Sequence, residues 1–303
     1  MNNVAVLLST FSGGKYISEY LDSLCLQSYA DFTVFVRDDG STDATLKLIE
    51  SFFSRLDIVI IDSDARFGAA KSFMHLLRVV PDSYSFFFFA DQDDYWHQDK
   101  IKRAVDMLSL HVDTPALYCS RLELVDAELN HLSYSFLPHV FDLSNSLVEC
   151  AATGCTIAMN SKARAVLNLG RPDFIFMHDW WAYTVISALG VIVYDQYPTI
   201  KYRQHGTNEI GAEHSIIGLY KKRLKRFFGN SKDGVFCISQ HAQEFLKCYS
   251  NLLNERQIQL ASCLVEGKTS FLARLKLALF GKFYRQRFVD NFILRLIFLM
   301  NKY

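Results

Sequence analysis

Over the first ninety residues, apolar positions follow two alternating rhythms. Short unbroken runs recur at Val4–Thr10, Phe32–Val36, Ile58–Ile61 and Tyr84–Ala90, as expected of strands buried on both faces of a parallel sheet. Between them the apolar residues fall at helical spacing. Ile17, Leu21, Leu24 and Cys25 mark a helix over Lys15–Gln27; Leu46, Ile49, Phe52 and Phe53 mark a second, which Ser41 or Thr42 can cap; a third covers Ala69–Val80. Strand–helix alternation of this kind predicts a parallel sheet with helices on both faces. The pattern continues with a helix near Gln98–Leu110, strands at Ala116–Ser120 and Leu122–Val125, and an irregular stretch over 126–150. A strand at Cys155–Met159, a helix from Ser161, a helix from His178 to Leu189, and strands at Val191–Tyr194 and Thr199–Tyr202 complete this part of the chain.

From residue 214 the texture changes to helices that are basic on one side and apolar on the other. Residues 220–228 read YKKRLKRFF, and Phe271–Tyr303 sets Leu, Phe and Ile at helical spacing against Lys276, Lys282, Arg285, Arg287 and Arg295. The net charge of zero conceals this division. Residues 1–213 hold 16 Lys and Arg against 27 Asp and Glu, a net −11, while residues 214–303 hold 16 against 5, a net +11. Two regions are therefore expected: residues 1–213 as the body and 214–303 as a basic, amphipathic helical region with an anionic surface as its partner. The seven cysteines form no CxxC pair and show no zinc-site spacing, which predicts reduced thiols. The N-terminus lacks a basic segment ahead of a long apolar one and reads as a strand, not a signal peptide. No window reaches the ~18–20 apolar residues of a membrane span.

The chemistry concentrates where strands end. Residues 85–96 read SFFFFADQDDYW, so Asp91, Asp93 and Asp94 emerge where a buried strand stops. Ligands of open α/β sheets bind just beyond the carboxyl ends of the strands. Crowded carboxylates need a cation, and Mg²⁺ takes one or two of them together with substrate phosphates. The plainer alternative is an acidic N-cap for the next helix, which Asp93 or Asp94 can provide. Asp38 and Asp39 follow the second strand and converge on the same edge, where they can accept hydrogen bonds from a nucleobase N–H or a ribose hydroxyl. Asp179, beside His178 at a helix start, is free to act as general base, or it caps that helix. Trp180 and Trp181 are core residues unless one faces a cleft and stacks on a sugar.

With these groups in this order, the sequence resembles the family 2 glycosyltransferases, and most nearly the bacterial rhamnosyltransferases of surface-polysaccharide and O-antigen assembly. The resemblance spans roughly residues 3–210. It is carried by VLLSTF (6–11), QSY…DF…VRDDGSTD, FFADQDDYW, MHDWW and YRQHGTN. It implies a GT-A fold, α/β, with a Rossmann-like, mostly parallel sheet. It implies that Ser9, Thr10, Asp38, Asp39 and Asp91 hold the nucleotide, and that Asp93 with Asp91 engages Mg²⁺ or Mn²⁺ and the diphosphate. It further implies Asp179 as the base, His205 as a possible third metal contact, and Asp94, Trp180 and Trp181 toward the sugar or acceptor. Phe11-Ser12 departs from the usual Tyr-Asn, and Ser72 from the usual Asn. The implied reaction is an inverting transfer, with dTDP-L-rhamnose as donor and a lipid-linked saccharide as acceptor. The implied setting is the cytoplasmic face of the inner membrane, with the basic helices on anionic lipid and no nucleic acid as partner. Two rivals are a sugar-nucleotide nucleotidyltransferase, for which Ser9–Lys15 would have to be the glycine-rich loop, and a non-catalytic sugar-nucleotide-binding module. No GxGxxG follows the first strand, which weighs against a dinucleotide site.

Overall fold

The computed structural model describes residues 3–62, 65–204 and 238–303. Its first half is the expected alternation: β1 (Val4–Thr10), α1 (Ile17–Cys25), β2 (Phe32–Asp38), α2 (Thr45–Glu50), β3 (Ile58–Ile60), α3 (Ala69–Val79) and β4 (Phe86–Asp91). After these come β5 (Tyr95–Trp96), α4 (Lys100–Leu108), β6 (Ala116–Val125), β7 (His131–Tyr134), α5 (Leu143–Ser146), β8 (Ala158–Asn160), α6 (Ser161–Leu169), α7 (His178–Leu189) and β9 (Val191–Arg203). The strands form one mixed sheet in the order β3-β2-β1-β4-β8-β6-β9-β5, with β7 paired to β6. The β3-β2-β1-β4 half is wholly parallel. Beyond β4 the sheet is mixed, because β8 runs antiparallel to both β4 and β6.

The four phenylalanines of β4 explain its central place. Phe87 and Phe89 enter one apolar cluster with Leu7 and Phe73, while Phe86 and Phe88 enter another with Val6 and Trp96. Successive strand residues point to opposite faces, so only an unbroken apolar run can serve helices on both sides of the sheet. Pairing in register then sets the site. Ser9 lies opposite Arg37 on one side and Asp91 on the other, and Thr10 lies opposite Asp38. Both aspartate groups therefore reach the same carboxyl edge, as the strand pattern predicts.

Three local expectations differ. The stretch expected as a strand from Cys155 opens with a 3₁₀ turn, Gly154–Thr156, in which Thr156 Oγ1 donates to the Thr153 carbonyl and the Ile157 N–H to that of Gly154. Residues 191–203 form one strand where two are expected, its register against β6 shifting near Arg121. Buried Asp195 sits at that irregularity and accepts from Arg103, Tyr118 and the Tyr197 N–H, a polar interruption that reads as a break in sequence. The stretch 126–150 is not wholly irregular but holds β7 and α5, each four residues long and too short to show a period. Among the described residues Cys25, Cys119, Cys150, Cys155, Cys248 and Cys263 are free thiols.

Among the described residues four helices follow: α8 (Ile238–Tyr249), α9 (Glu255–Thr269), α10 (Phe271–Phe280) and α11 (Phe288–Leu299). Asn254 and Gln257 form a reciprocal capping box at the start of α9. The inner faces of these helices join the same apolar cluster as Trp180 and Trp181 of α7, through Phe245, Tyr249, Leu264, Leu277, Leu294 and Phe298. His241 of α8 stacks on Trp180 at 4.5 Å between ring centroids and pairs with Thr184 Oγ1 at 2.9 Å. Among the described residues no helix is long and apolar enough to cross a membrane.

Because Phe245 is fully buried in this shared cluster, Phe245→Ala should destabilise the whole protein by ~3–5 kcal/mol, the usual cost of such a truncation. Thermal melting should show a single, lowered transition. An early separate transition for the C-terminal helices, with the main one unmoved, would show that they do not share the core.

Candidate functional site

The carboxyl edge of β1, β2 and β4 is built from side chains that hold one another. Asp38 is the most heavily bonded: it accepts from Thr10 Oγ1 at 2.8 Å, the Gly40 N–H at 3.0 Å, the Ser41 N–H at 2.7 Å and Ser41 Oγ at 2.6 Å. A carboxylate offers about four lone-pair sites, so Asp38 is saturated by Thr10 and its own turn. Gly40, at φ +88°, supplies the left-handed residue that lets this turn close. Asp39 accepts from Arg37 Nη1 at 2.6 Å, the Phe67 N–H at 2.7 Å and the Gly68 N–H at 2.8 Å, which leaves it one acceptor position. Burial would raise the Asp39 carboxyl, but the Phe67 and Gly68 N–H groups and Arg37 together hold it below the usual carboxylate range. Arg37 is fully buried. It also donates to Ser72 Oγ at 2.6 Å and to the Ala65 carbonyl, and lies over the Phe67 ring. Ser72 thus holds the clamp of the loop ahead of α3.

Across β1, Gln92 ties the acidic turn to the residues after that strand. Its Oε1 accepts the Phe11 N–H at 3.0 Å and its Nε2 donates to the Phe11 carbonyl at 2.9 Å. Arg203, buried at the end of β9, donates through Nε to the Asp93 carbonyl at 3.1 Å and through Nη2 to Glu19 at 2.6 Å. The Tyr-Arg start of YRQHGTN is thereby fixed beside Asp93; His205 lies outside the described residues.

The three aspartates after β4 do not behave alike. Asp91 and Asp93 are partly exposed, whereas Asp94 is 1 % exposed. Ligand atoms of Asp91, Asp94 and the buried Cys155 lie within 4.8 Å of one another. Burial, then the charges of Asp93 and Asp91, push the Asp94 carboxyl well above its usual range, against the pull of Cys155 and Lys100. Asp94 Oδ2 has no hydrogen-bond partner among the described residues. Lys100 is also buried and is pushed down to about 8 by desolvation, its Nζ 4.6 Å from the centre of the Trp96 ring. The expectation that Asp94 meets the sugar is therefore corrected: its side chain is directed into the protein, behind the turn that presents Asp91 and Asp93. Two partly exposed carboxylates, Asp91 and Asp93, at one sheet edge offer the hard oxygen donors that a divalent cation takes.

Asp179 stands in the first turn of α7. It is 6 % exposed and accepts the Trp180 N–H at 2.7 Å and the Gly154 N–H at 3.1 Å. His178 before it is buried, stacks on Phe73 at 4.0 Å and meets Phe89 edge-on at 4.8 Å. Desolvation pushes the His178 imidazole down to about 3, so it is neutral at physiological pH and acts as an aromatic seat for the helix start. A Cβ on Gly154 would lie 2.9 Å from His178 Nε2 and 3.4 Å from Asp179 Cβ, so a side chain here would force His178 to shift. Gly154 and Cys155 are neighbours in the chain. One touches Asp179 and the other the Asp91–Asp94 pair, so a single peptide unit joins the two acidic groups. The strand expected from Cys155 hides the part of that residue, and Gly154 falls in no expected element; the signal for both is Thr153-Gly154-Cys155, a turn-forming glycine directly before an apolar run.

The tryptophans are corrected as well. Trp181 is fully buried and Trp180 nearly so, its indole N–H donating to the Ser146 carbonyl at 2.6 Å. Both belong to the core under α8, not to the cleft.

Comparison with known proteins agrees with this architecture. The family described as glycosyl transferase family 2 matches residues 5–146. The dTDP-rhamnosyl transferase RfbG of Shigella flexneri is 33% identical over 233 residues, which are 71% of this chain and 77% of that protein. The structure of Staphylococcus aureus TarS 1–349 in complex with UDP-GlcNAc superposes with a TM-score of 0.61 at 17% identity, covering 99% of this chain and 81% of that one. A mannosyltransferase from Pyrobaculum calidifontis, in complex with GDP-Man and Mn²⁺, gives 0.53 at 16% identity, with 99% and 85% covered. These structural likenesses establish the GT-A fold.

The Asp39 clamp makes a pH-dependent prediction. Its folded carboxyl titrates below the unfolded value of ~3.9, so its stabilisation is complete above that value and is lost as pH falls through the folded one. Asp39→Asn should therefore lower the melting temperature at pH 6 and do so progressively less below about pH 4. An equal deficit at every pH would show that the charge of Asp39 plays no part.

Proposed function

The chain belongs to glycosyltransferase family 2, and we propose that it moves L-rhamnose from dTDP-L-rhamnose to a lipid-linked saccharide, with inversion, in surface-polysaccharide synthesis. The observation that carries the catalytic reading is the Gly154–Cys155 link, which sets Asp179 beside the Asp91 edge. The rhamnose donor is supported by the identity to RfbG, a dTDP-rhamnosyl transferase.

Each group then has a task. The free acceptor position of Asp39 takes an N–H of the base or a hydroxyl of the ribose, while Asp38, saturated, shapes the turn, and Ser9 and Thr10 border the nucleotide. Asp91 and Asp93, with His205, would hold the divalent cation, Mg²⁺ or Mn²⁺, which when bound offsets the charge of the diphosphate. Two backbone N–H groups orient Asp179, which accepts the proton of an acceptor hydroxyl as that oxygen bonds to the anomeric carbon. The bond from that carbon to the diphosphate oxygen breaks on the opposite face, releasing nucleoside diphosphate. Positioning and general-base help share the acceleration. The nucleotidyltransferase rival gains no support, because the Ser12 and Gly14 N–H groups of its would-be phosphate loop are engaged by Ser41 and Asp43.

Two variants test this together. Asp179→Asn should lower kcat by ~10²–10⁴ with nucleotide-sugar affinity kept, the range for loss of a general base. Gly154→Ala, which pushes on His178 and Asp179 without removing either, should lower kcat by about 10² and leave donor affinity unchanged, as misplacement of about 1 Å does. Collapse of donor affinity in either variant would move Asp179 into the donor site, and pyrophosphate in place of nucleoside diphosphate as product would overturn the transfer itself.

The acceptor's lipid places the enzyme at the cytoplasmic face of the inner membrane as a peripheral protein. Support comes from the outer face of α11, where Phe288 is 90% exposed and Phe292 65%, with Leu296 and Leu299 continuing the stripe at helical spacing. Arg285, Arg287 and Lys282 flank its start. Apolar residues of such a helix sink among acyl chains, and each nearby cation contributes ~1 kcal/mol toward an anionic surface. Removing residues 269–303 would strip Leu277, Leu294 and Phe298 from the core, so the informative change is Phe288→Ser with Phe292→Ser. The wild-type protein should co-sediment with phosphatidylglycerol vesicles and release as salt rises, and the double variant should lose this without change in melting temperature. Equal sedimentation of the two proteins would sink the membrane reading.

A further inference from the structure

We infer that the cavity between α9 and α10 is a binding site for the headgroup of an anionic phospholipid. This rests on the membrane reading above and narrows it from a surface to one cavity. The cavity has a volume of ≈ 350 Å³ and is bounded by α9, α10 and the turn after α10, with Ser144 of α5 at its edge. Ligand pockets run from ~300 to 1,000 Å³, so a headgroup-sized ligand fits.

Its lining has two chemistries. Arg256, Lys276 and Lys282 face it against one carboxylate, Glu266, and none of the three cations has an ion pair or hydrogen bond among the described residues. Unpaired cations gathered around one concavity repel each other until an anion enters. A phosphodiester supplies that charge and acceptor oxygens for ammonium and guanidinium donors. The other chemistry is apolar. Leu277 and Phe283 form buried wall, and Phe280 stands at the mouth, 78% exposed. Leu272, two turns before Phe280 on α10, is also exposed. Next to it lies α11, held against α10 where Arg295 donates to the Leu277 carbonyl at 3.3 Å.

A soluble phosphate would satisfy the cations and leave the aromatic mouth in water. A phospholipid meets both needs, since its phosphate lies a few atoms from its acyl chains. The cations would hold the phosphate, and the lysine stems and Phe280 would lie along the chains, the division of labour seen when long basic side chains snorkel. Occupancy would fix α10 and α11 at the membrane in one orientation, where the exposed stripe of α11 alone leaves rotation about its axis free.

Cys263 lines this cavity and is exposed, which provides a direct probe. Alkylation of the full-length protein by N-ethylmaleimide, followed by peptide mass spectrometry, should slow at Cys263 at least tenfold in monomeric dihexanoyl-phosphatidylglycerol. Cys25, far from the cavity, should be alkylated at an unchanged rate. Dihexanoyl-phosphatidylcholine and inorganic phosphate should not protect, and Lys276→Glu with Lys282→Glu, or Arg256→Gln alone, should abolish protection with melting temperature unchanged. Equal protection by phosphatidylcholine or by inorganic phosphate would overturn the assignment to an anionic lipid. Undiminished protection in both variants would overturn the role of the three cations. Absence of protection while phosphatidylglycerol vesicles still bind would sink the cavity and leave the membrane reading standing; protection without vesicle binding would do the reverse.

Discussion

Like charges cannot crowd one sheet edge unless each is separately restrained, and this constraint governs the cleft. Asp38, Asp39, Asp91, Asp93, Asp94 and Asp179 come from two strand ends, the turns that follow them and one helix start. Different devices hold five of the six. Asp38 is closed by three donors of its own turn and by Thr10 of β1. Asp39 meets a buried guanidinium. Asp93 is anchored at its carbonyl by Arg203. Asp94 withdraws into the interior near Lys100, and Asp179 sits on two backbone N–H groups. Only Asp91 and Asp93 of the β4 turn keep partial exposure.

The loops obey the same logic. Arg37 is drawn into the interior by Asp39, and there it gathers Ser72 and the Ala65 carbonyl, so the chain ahead of α3 is pinned to the end of β2. Gln92 performs the equivalent service on the other side by pairing with both backbone groups of Phe11. Ligand binding of this kind works on an edge that is largely formed beforehand, which lowers the ordering cost of association.

The parallel half of the sheet was legible because its strands are buried on both faces and so are unbroken in composition; the bounds of β1 follow the sequence pattern residue for residue. The DDGSTD and DQDD segments were legible because carboxylates at strand ends are conspicuous. What escaped was set by contacts distant in sequence. Asp94 is one of three similar aspartates until the chain turns it inward. Trp180 and Trp181 look available until α8, some sixty residues on, covers them. Gly154 has no side chain to announce a role, and its importance lies in the space it leaves for His178 and Asp179. The single strand β9 was hidden by Asp195, whose partners on α4 and β6 cannot be read locally.

The cover that α8 lays over Trp180 and Trp181 has a bearing on synthesis of the chain. A ribosome delivers Trp180 and Trp181 well before it delivers Phe245, Leu277 and Phe298, yet all of these belong to one apolar cluster. Until α8–α11 emerge, the helix that carries Asp179 has an uncovered aromatic flank, including the indole N–H of Trp181, which has no partner among the described residues. A chain stopped within α9–α11 would keep Asp38, Asp39, Asp91 and Asp179 but bare the apolar surface that these helices cover, a surface prone to association.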